Sequence, residues 1–187
     1  MIRPIRPDVW RSRLGRRHRT DARRAREGAA AVEFAMVALP FFVLLYSLIE
    51  LGLVFMIDAV AENAVVDATR LVRTGQAYEQ GFDATKFKTA FCNNMSVFKS
   101  GCAARTTVDV RVVASFAATD EGEDADGDGV PDKDNYNGGD AEDLVVVRIW
   151  YRQPMIAPSL TQAVSKGGPG EIVISSTTAF RNEPWRA

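Results

Sequence analysis

From Phe34 to Ile49 the chain reads FAMVALPFFVLLYSLI, sixteen residues without a charge. Counted from Ala30, the run is twenty residues long and Glu33 alone interrupts it. About 20 mostly apolar residues suffice for a helix to cross the hydrocarbon core of a bilayer. Glu33 is then near enough to one face to snorkel, and Glu50 falls just past the other. Nearer mid-bilayer, either carboxylate would cost roughly 2.5–3.5 kcal/mol. Beyond Glu50 the pattern turns amphipathic: Val54, Ile57, Ala61, Ala64, Val65, Ala68, Leu71 and Val72 recur at spacings of three and four. Asp58, Glu62, Asn63, Asp67, Arg70 and Arg73 take the other side. This is the helical period, in phase with the apolar run, and Gly75 is a natural terminator. One helix over 29–73 is predicted, near 68 Å long at about 1.5 Å per residue, with a kink at Pro40, which lacks the amide for the backbone ladder. The competing arrangement is two helices bent at Glu50–Gly52.

Downstream the period changes. Phe87, Ala90, Phe91, Met95 and Phe98 predict a second helix over Asp83–Phe98. Val108, Val110 and Val112 alternate with Asp109 and Arg111, Leu144–Tyr151 is a dense β-branched run, and Ile172–Phe180 alternates again. These three strands predict a small antiparallel sheet packed on the amphipathic half of the long helix. Pro154–Pro169 reads as loop with one helical turn around Leu160–Val164, and 118–143 as an acidic loop. The fold class is therefore α+β: a leader at 1–28, a transmembrane helix continuing as an amphipathic one at 29–75, and a mixed domain at 76–187.

Charge decides where the pieces go. The chain of 187 residues carries a net charge of −1, but the average misleads. Residues 1–28 hold ten Arg against Asp8, Asp21 and Glu27, a net of +7 (10 − 3). Residues 29–187 hold 13 basic and 21 acidic side chains, a net of −8. A basic tail of this kind suits nucleic acid or a membrane surface. Trp10 is the one aromatic residue among the Arg residues, so base stacking has little support and no nucleic-acid partner is expected. Ahead of an apolar run, the same charges hold the leader in the cytoplasm and send the remainder outward. A core helix of a soluble protein would carry more polar interruptions. A cleavable signal peptide has an apolar region of about 7–15 residues ending at a small-residue site, shorter than this one. A single-pass signal anchor fits best.

The leader ends Arg23-Arg24-Ala25-Arg26-Glu27-Gly28, followed by Ala29-Ala30-Ala31-Val32-Glu33-Phe34 and the apolar run. These residues resemble the TadE family of tight-adherence pilus pseudopilins, which are type IV pilin-like. The stretches Ala68–Ala77 and Ala179–Trp185 resemble it more loosely. The resemblance implies a bacterial inner-membrane protein, its amino terminus cytoplasmic and its carboxy-terminal domain periplasmic, incorporated into a surface pilus. It implies processing by a prepilin peptidase between Gly28 and Ala29, with other pilin-like subunits and the pilus assembly machinery as partners. Glu33 becomes the fifth residue of the mature chain, one turn into lipid, where it pairs with a free amino terminus of its own or a neighbouring subunit. The alternative is an uncleaved anchor whose Glu33 snorkels. The 112 residues at 76–187 favour a minor or accessory subunit over the main shaft.

Two further features carry chemistry. Cys92 and Cys102, outside the cytoplasm, read as one disulfide; a reactive thiol or metal pair is the competing reading, and it would need partners. Asp124, Asp126, Asp128 and Gly129 match positions 1, 3, 5 and 6 of a calcium loop. Val130 would offer its carbonyl and Asp132 would bind directly or through water. Asn135 stands at position 12, where a bidentate Glu is usual, so an affinity of about 10⁻⁴–10⁻³ M is expected. The alternative is a solvated acidic loop. His18, in the leader, is the only histidine, so the exported part has no imidazole base or ligand and an enzyme is the least favoured class. Three functions remain: first a pilin-like structural subunit, second a signal-anchored, calcium-dependent periplasmic or surface binding protein that does not polymerise, and third, as the minor reading, an Arg-tail tether to nucleic acid or anionic lipid.

Overall fold

The computed structural model describes residues 8–115, 129–155 and 170–185, with side chains from Gly28 onward. Two units are distinguished, Met1–Leu48 and Ile49–Ala187. The first is helix throughout its described part. It is the start of α1, which runs Asp8–Arg73 and includes Pro40 without a break. The helix therefore begins well before Ala29, and Glu50–Gly52 do not interrupt it.

In the second unit α1 presents the expected stripe. Ile57, Ala61, Ala64, Val65, Ala68 and Val72 are all buried, at spacings of three and four, while Glu62, Asp67 and Arg70 stay outside. Gly75 ends the helix with φ +80, in the left-handed region that a Cβ disfavours. Two helices follow, α2 (Gln76–Glu79) and α3 (Ala84–Asn93). Asp83 caps α3 in extended conformation, its carboxylate accepting from Lys86 N–H at 2.7 Å. The predicted Asp83–Phe98 helix thus ends five residues early. Asn94 is its C-cap, Ser96 takes φ 51, and Ser96–Phe98 form a separate 3₁₀ turn. Phe87 and Phe91 still bury the apolar face.

After α4 (Cys102–Arg105) come β1 (Thr106–Val112), β2 (Asn135–Tyr136), β3 (Leu144–Pro154) and β4 (Glu171–Arg181). The sheet order is β2-β1-β3-β4. The three main strands are antiparallel, with Val108 opposite Ile149 and Tyr151 opposite Ile174. The fourth corrects the purely antiparallel expectation: Asn135–Tyr136 run parallel to Asp109–Val110, so the sheet is mixed. A two-residue strand containing Asn carries no period to detect. One face of the sheet (Val108, Val110, Val145, Val147, Ile149, Tyr151) joins the α1 stripe and α3 in a single hydrophobic cluster. Alternation places Asp109 on the other face, yet it is buried to 1% exposure. Its Oδ1 accepts from Arg111 Nε at 3.0 Å and Asn135 Nδ2 at 2.9 Å, and Arg111 also pairs with Oδ2 at 2.7 Å. A buried carboxylate needs such partners to offset its desolvation.

The anticipated loop turn at Leu160–Val164 and residues 118–128 of the acidic loop lie outside the described residues. Cys92 and Cys102 are disulfide-bonded, with Cα atoms 5.7 Å apart, and clip the end of α3 to the start of α4. For a loop of ten-residue separation the chain-entropy model gives about 2.7 kcal/mol at 25 °C. Replacing both cysteines by Ala in the detergent-extracted chain should lower the denaturation midpoint, the unfolding free energy falling by about that amount, with an m-value no smaller than the parent's because the unfolded chain is less constrained. An unchanged midpoint would show that the clip contributes nothing to stability.

Candidate functional site

The sequence-derived residues fall in separate places. Gly28, Ala29 and Glu33 lie on α1 in the first unit, all exposed. Ala29 and Glu33 are four residues apart, so they share one face of the helix. A Cβ on Gly28 would meet nothing within 4 Å, and no positive φ demands a glycine there. Its occurrence inside a helix is a local weakness of about 1 kcal/mol relative to Ala, which eases unwinding of that turn. From Phe34 to Ile49 apolar side chains are exposed all around the helix, as with Met36 (73%), Phe42 (59%) and Leu44 (62%). The one hydroxyl there with a serine's reach, Ser47 Oγ, donates to the Val43 carbonyl at 2.8 Å, so it presents no unmet donor to an apolar medium. A helix apolar on every side is buried in lipid or among other helices. Gly28–Arg73 is long and apolar enough to cross a membrane, with an 18-residue window of mean hydropathy 2.2. Glu50, placed by the sequence just past the apolar run, belongs to the second unit and is buried.

Of the candidate calcium ligands, Asp124, Asp126 and Asp128 lie outside the described residues. Gly129 has φ +79, the left-handed turn that the sixth position of such a loop uses glycine to make. Val130 is buried and Asp132 exposed. The loop exit is held by the domain: Asp134 accepts from Val108 N–H at 3.0 Å and pairs with Lys88 at 2.6 Å. Asn135 spends its amide nitrogen on Asp109, leaving Oδ1 as the oxygen it can offer a cation. Among the described residues no three of His, Cys, Asp and Glu converge as a metal-holding group.

Periodicity did not reveal the arrangement at the carboxy-terminal end of α1. There the chain's last described segment returns to the helix. Glu183 N–H donates to the Arg73 carbonyl at 2.9 Å, supplying one of the orphan helix-end acceptors. Arg73 Nε and its NH2 reach Glu183 Oε1 at 3.1 and 3.0 Å; this exposed pair contributes little by itself. The Trp185 ring lies over Gly75, where a Cβ would come within 2.6 Å of it. Asn182 is buried, and its Nδ2 bridges the Gly138 and Asp140 carbonyls at 2.9 Å each. The result is a cleft of about 570 Å³ with Tyr78, Phe82, Tyr136 and Trp185 on its walls and Asp140 and Asp143 at its rim. The two stretches that loosely resemble the pilin-like family, Ala68–Ala77 and Ala179–Trp185, are the two strands of chain that meet here.

Residues 28–70 match the family model described as TadE-like protein. The match lies within α1, from the proposed cut site through the apolar run into the buried stripe. No curated protein matches the chain, and no solved structure does.

Tyr136, on the edge strand and 5.8 Å from the Phe87 ring, has its hydroxyl pushed up from 10.0 to about 12 by burial and by the Asp83 carboxylate. The neutral phenol is thus favoured by folding. Its contribution to stability is complete below pH 10 and is lost as pH rises through 12. Tyr151 is also pushed up by burial, against the opposing charge of Arg105, so assignment needs a variant. Tyrosinate ultraviolet absorbance of the native chain should show a late-titrating phenol that disappears in Tyr136→Phe. The variant should also lose less stability between pH 10 and 12. A wild-type titration identical to that of Tyr136→Phe would refute the assignment.

Proposed function

We propose that this chain is a membrane-anchored, pilin-like structural subunit of a tight-adherence pilus, minor or accessory and not the main shaft. The carrying observation is a single helix of two characters. Its Phe34–Ile49 segment is apolar and exposed on every side, and its Ile57–Val72 segment buries one stripe in a folded domain. Such a helix can rest in the bilayer before assembly and in a bundle of like helices after it, while the domain stays outside. The match of residues 28–70 to the TadE-like family supports the pilus assignment. Other pilus subunits and the assembly machinery are then its partners, and no catalytic role is assigned.

Processing after Gly28 belongs to the same proposal. The glycine is exposed and unneeded for packing, so its residue type answers to something outside the fold, and a peptidase that must unwind and approach the backbone fits that role. Glu33 of the mature chain would pair with an amino terminus at Ala29 in lipid. Amino-terminal sequencing of the membrane-extracted protein, made alongside a prepilin peptidase, should read from Ala29. Gly28→Ala should yield the uncut chain while the outer domain keeps its disulfide and its circular dichroism. An intact Met1 on wild-type protein from peptidase-containing cells would overturn the processing step.

The acidic loop is proposed to take calcium through Asp124, Asp126, Asp128, the Val130 carbonyl, Asp132 and Asn135. The left-handed turn at Gly129 and the anchoring of Asp134 to Val108 and Lys88 favour a loop bent for that purpose. Calorimetric titration of the detergent-solubilised chain should show binding at roughly 10⁻⁴–10⁻³ M, lost in Asp124→Asn/Asp126→Asn. A flat titration through millimolar calcium would remove this part of the reading.

A further inference from the structure

We propose that the cleft at the carboxy-terminal end of α1 is a docking pocket for a lysine or arginine side chain presented by a partner polypeptide. Tyr78, Phe82, Tyr136 and Trp185 line it together with Asp140 and Asp143, and among the described residues no basic side chain does. Aromatic faces are negative at the centre and attract an ammonium or guanidinium within about 6 Å, most strongly where water is excluded. Neighbouring carboxylates strengthen the same preference. Residues 29–187 carry a net charge of −8, so the long-range field also draws a cationic partner.

The cleft is built, and not a gap left by loose packing. A Cβ at Gly139, whose φ is +69, would fall 2.7 Å from Val112 and 2.9 Å from Asp143, and one at Gly138 would fall 3.1 Å from the Tyr136 hydroxyl. These glycines therefore let the 137–140 segment pass close to the sheet and keep the floor low. Asn182, itself buried, holds the 137–140 segment in place by donating to the Gly138 and Asp140 carbonyls. With the apolar segment ending near Ile49 in the bilayer, a step that rests on the function proposed above, position favours a polypeptide over a lipid headgroup. Val72, in the cleft wall, is 23 residues (72 − 49) past Ile49 on α1, about 35 Å at 1.5 Å per residue.

The test uses the full chain in detergent, with the indole of Trp185 and the amides of Gly138 and Gly139 followed by nuclear magnetic resonance. Blocked Gly-Lys-Gly and Gly-Arg-Gly peptides should shift these signals saturably, and Gly-norleucine-Gly should bind at least about tenfold more weakly. Tyr78→Ala and Asp140→Asn alter exposed side chains outside the core. Each should weaken the lysine peptide by about threefold to thirtyfold, the span expected for losing one cation–π or charge contact, while sheet amide shifts stay in place. The proposal is overturned if norleucine binds as well as lysine, if neither variant weakens binding, or if no cationic peptide shifts the signals. Tighter binding of phosphocholine than of either peptide would likewise overturn it in favour of a headgroup site.

Discussion

The seam between α1 and the sheet governs the second unit. Three of the six fully buried stripe residues are alanines, Ala61, Ala64 and Ala68, interleaved with Ile57, Val65 and Val72. Alanine contributes little apolar area, but it is the best helix former, and here it shares one hydrophobic cluster with the valines of β1 and β3. The same helix upstream has no such seam, and its large side chains are exposed. One continuous element thus carries two solvation requirements, and a two-phase environment is what reconciles them. The domain's other contacts serve that seam: α3 adds Phe87 and Phe91 to it, the disulfide fastens α3 to β1 through α4, and Glu183–Trp185 close over the helix end.

The long helix and the main strands were legible because each has a period that one buried face enforces. The stripe from Ile57 to Val72 and the alternation of Val108 and Val110 follow directly from which surface leaves water. The end of the helix was legible from Gly75, whose φ a side chain would resist. The short features were not. Asn135–Tyr136 is a strand because Asn135 bonds Asp109 and the loop exit is pinned by Asp134, both contacts across about 26 positions of chain. Asp109 reads as an outward residue by alternation, and only the arrival of Asn135 and the turn of Arg111 make burying it affordable. The α3 terminus was overextended because Met95 and Phe98 keep the helical spacing while the backbone turns at Ser96.

The site divides along the same line. Gly28, Ala29 and Glu33 are readable from a local string, and the structure adds that none of them is required by packing. The aromatic cleft has no local string. Its walls come from residues 72–82, 136–143 and 185, which meet only because the sheet returns β4 to the end of α1. Residues 68–77 and 179–185 meet for a geometric reason: the Arg73 carbonyl receives the Glu183 N–H, and Gly75 has no Cβ, so Trp185 can lie across it.

Charge links the two ends of the molecule. In the proposed precursor, the leader's net +7 would fix which side of the membrane the amino terminus occupies. Residues 29–187, the mature chain of the proposed processing, carry −8 and have no histidine, so their side-chain charge changes little across neutral pH. A subunit of that sign repels its own copies at a distance, by an amount that salt screens. In the proposed assembly, lateral association would rest on the apolar helix, where burial of side chains such as Phe42 and Leu44, exposed in the single chain, would outweigh repulsion between the acidic domains. Such a division would leave specific contacts of the outer domain to oppositely charged groups.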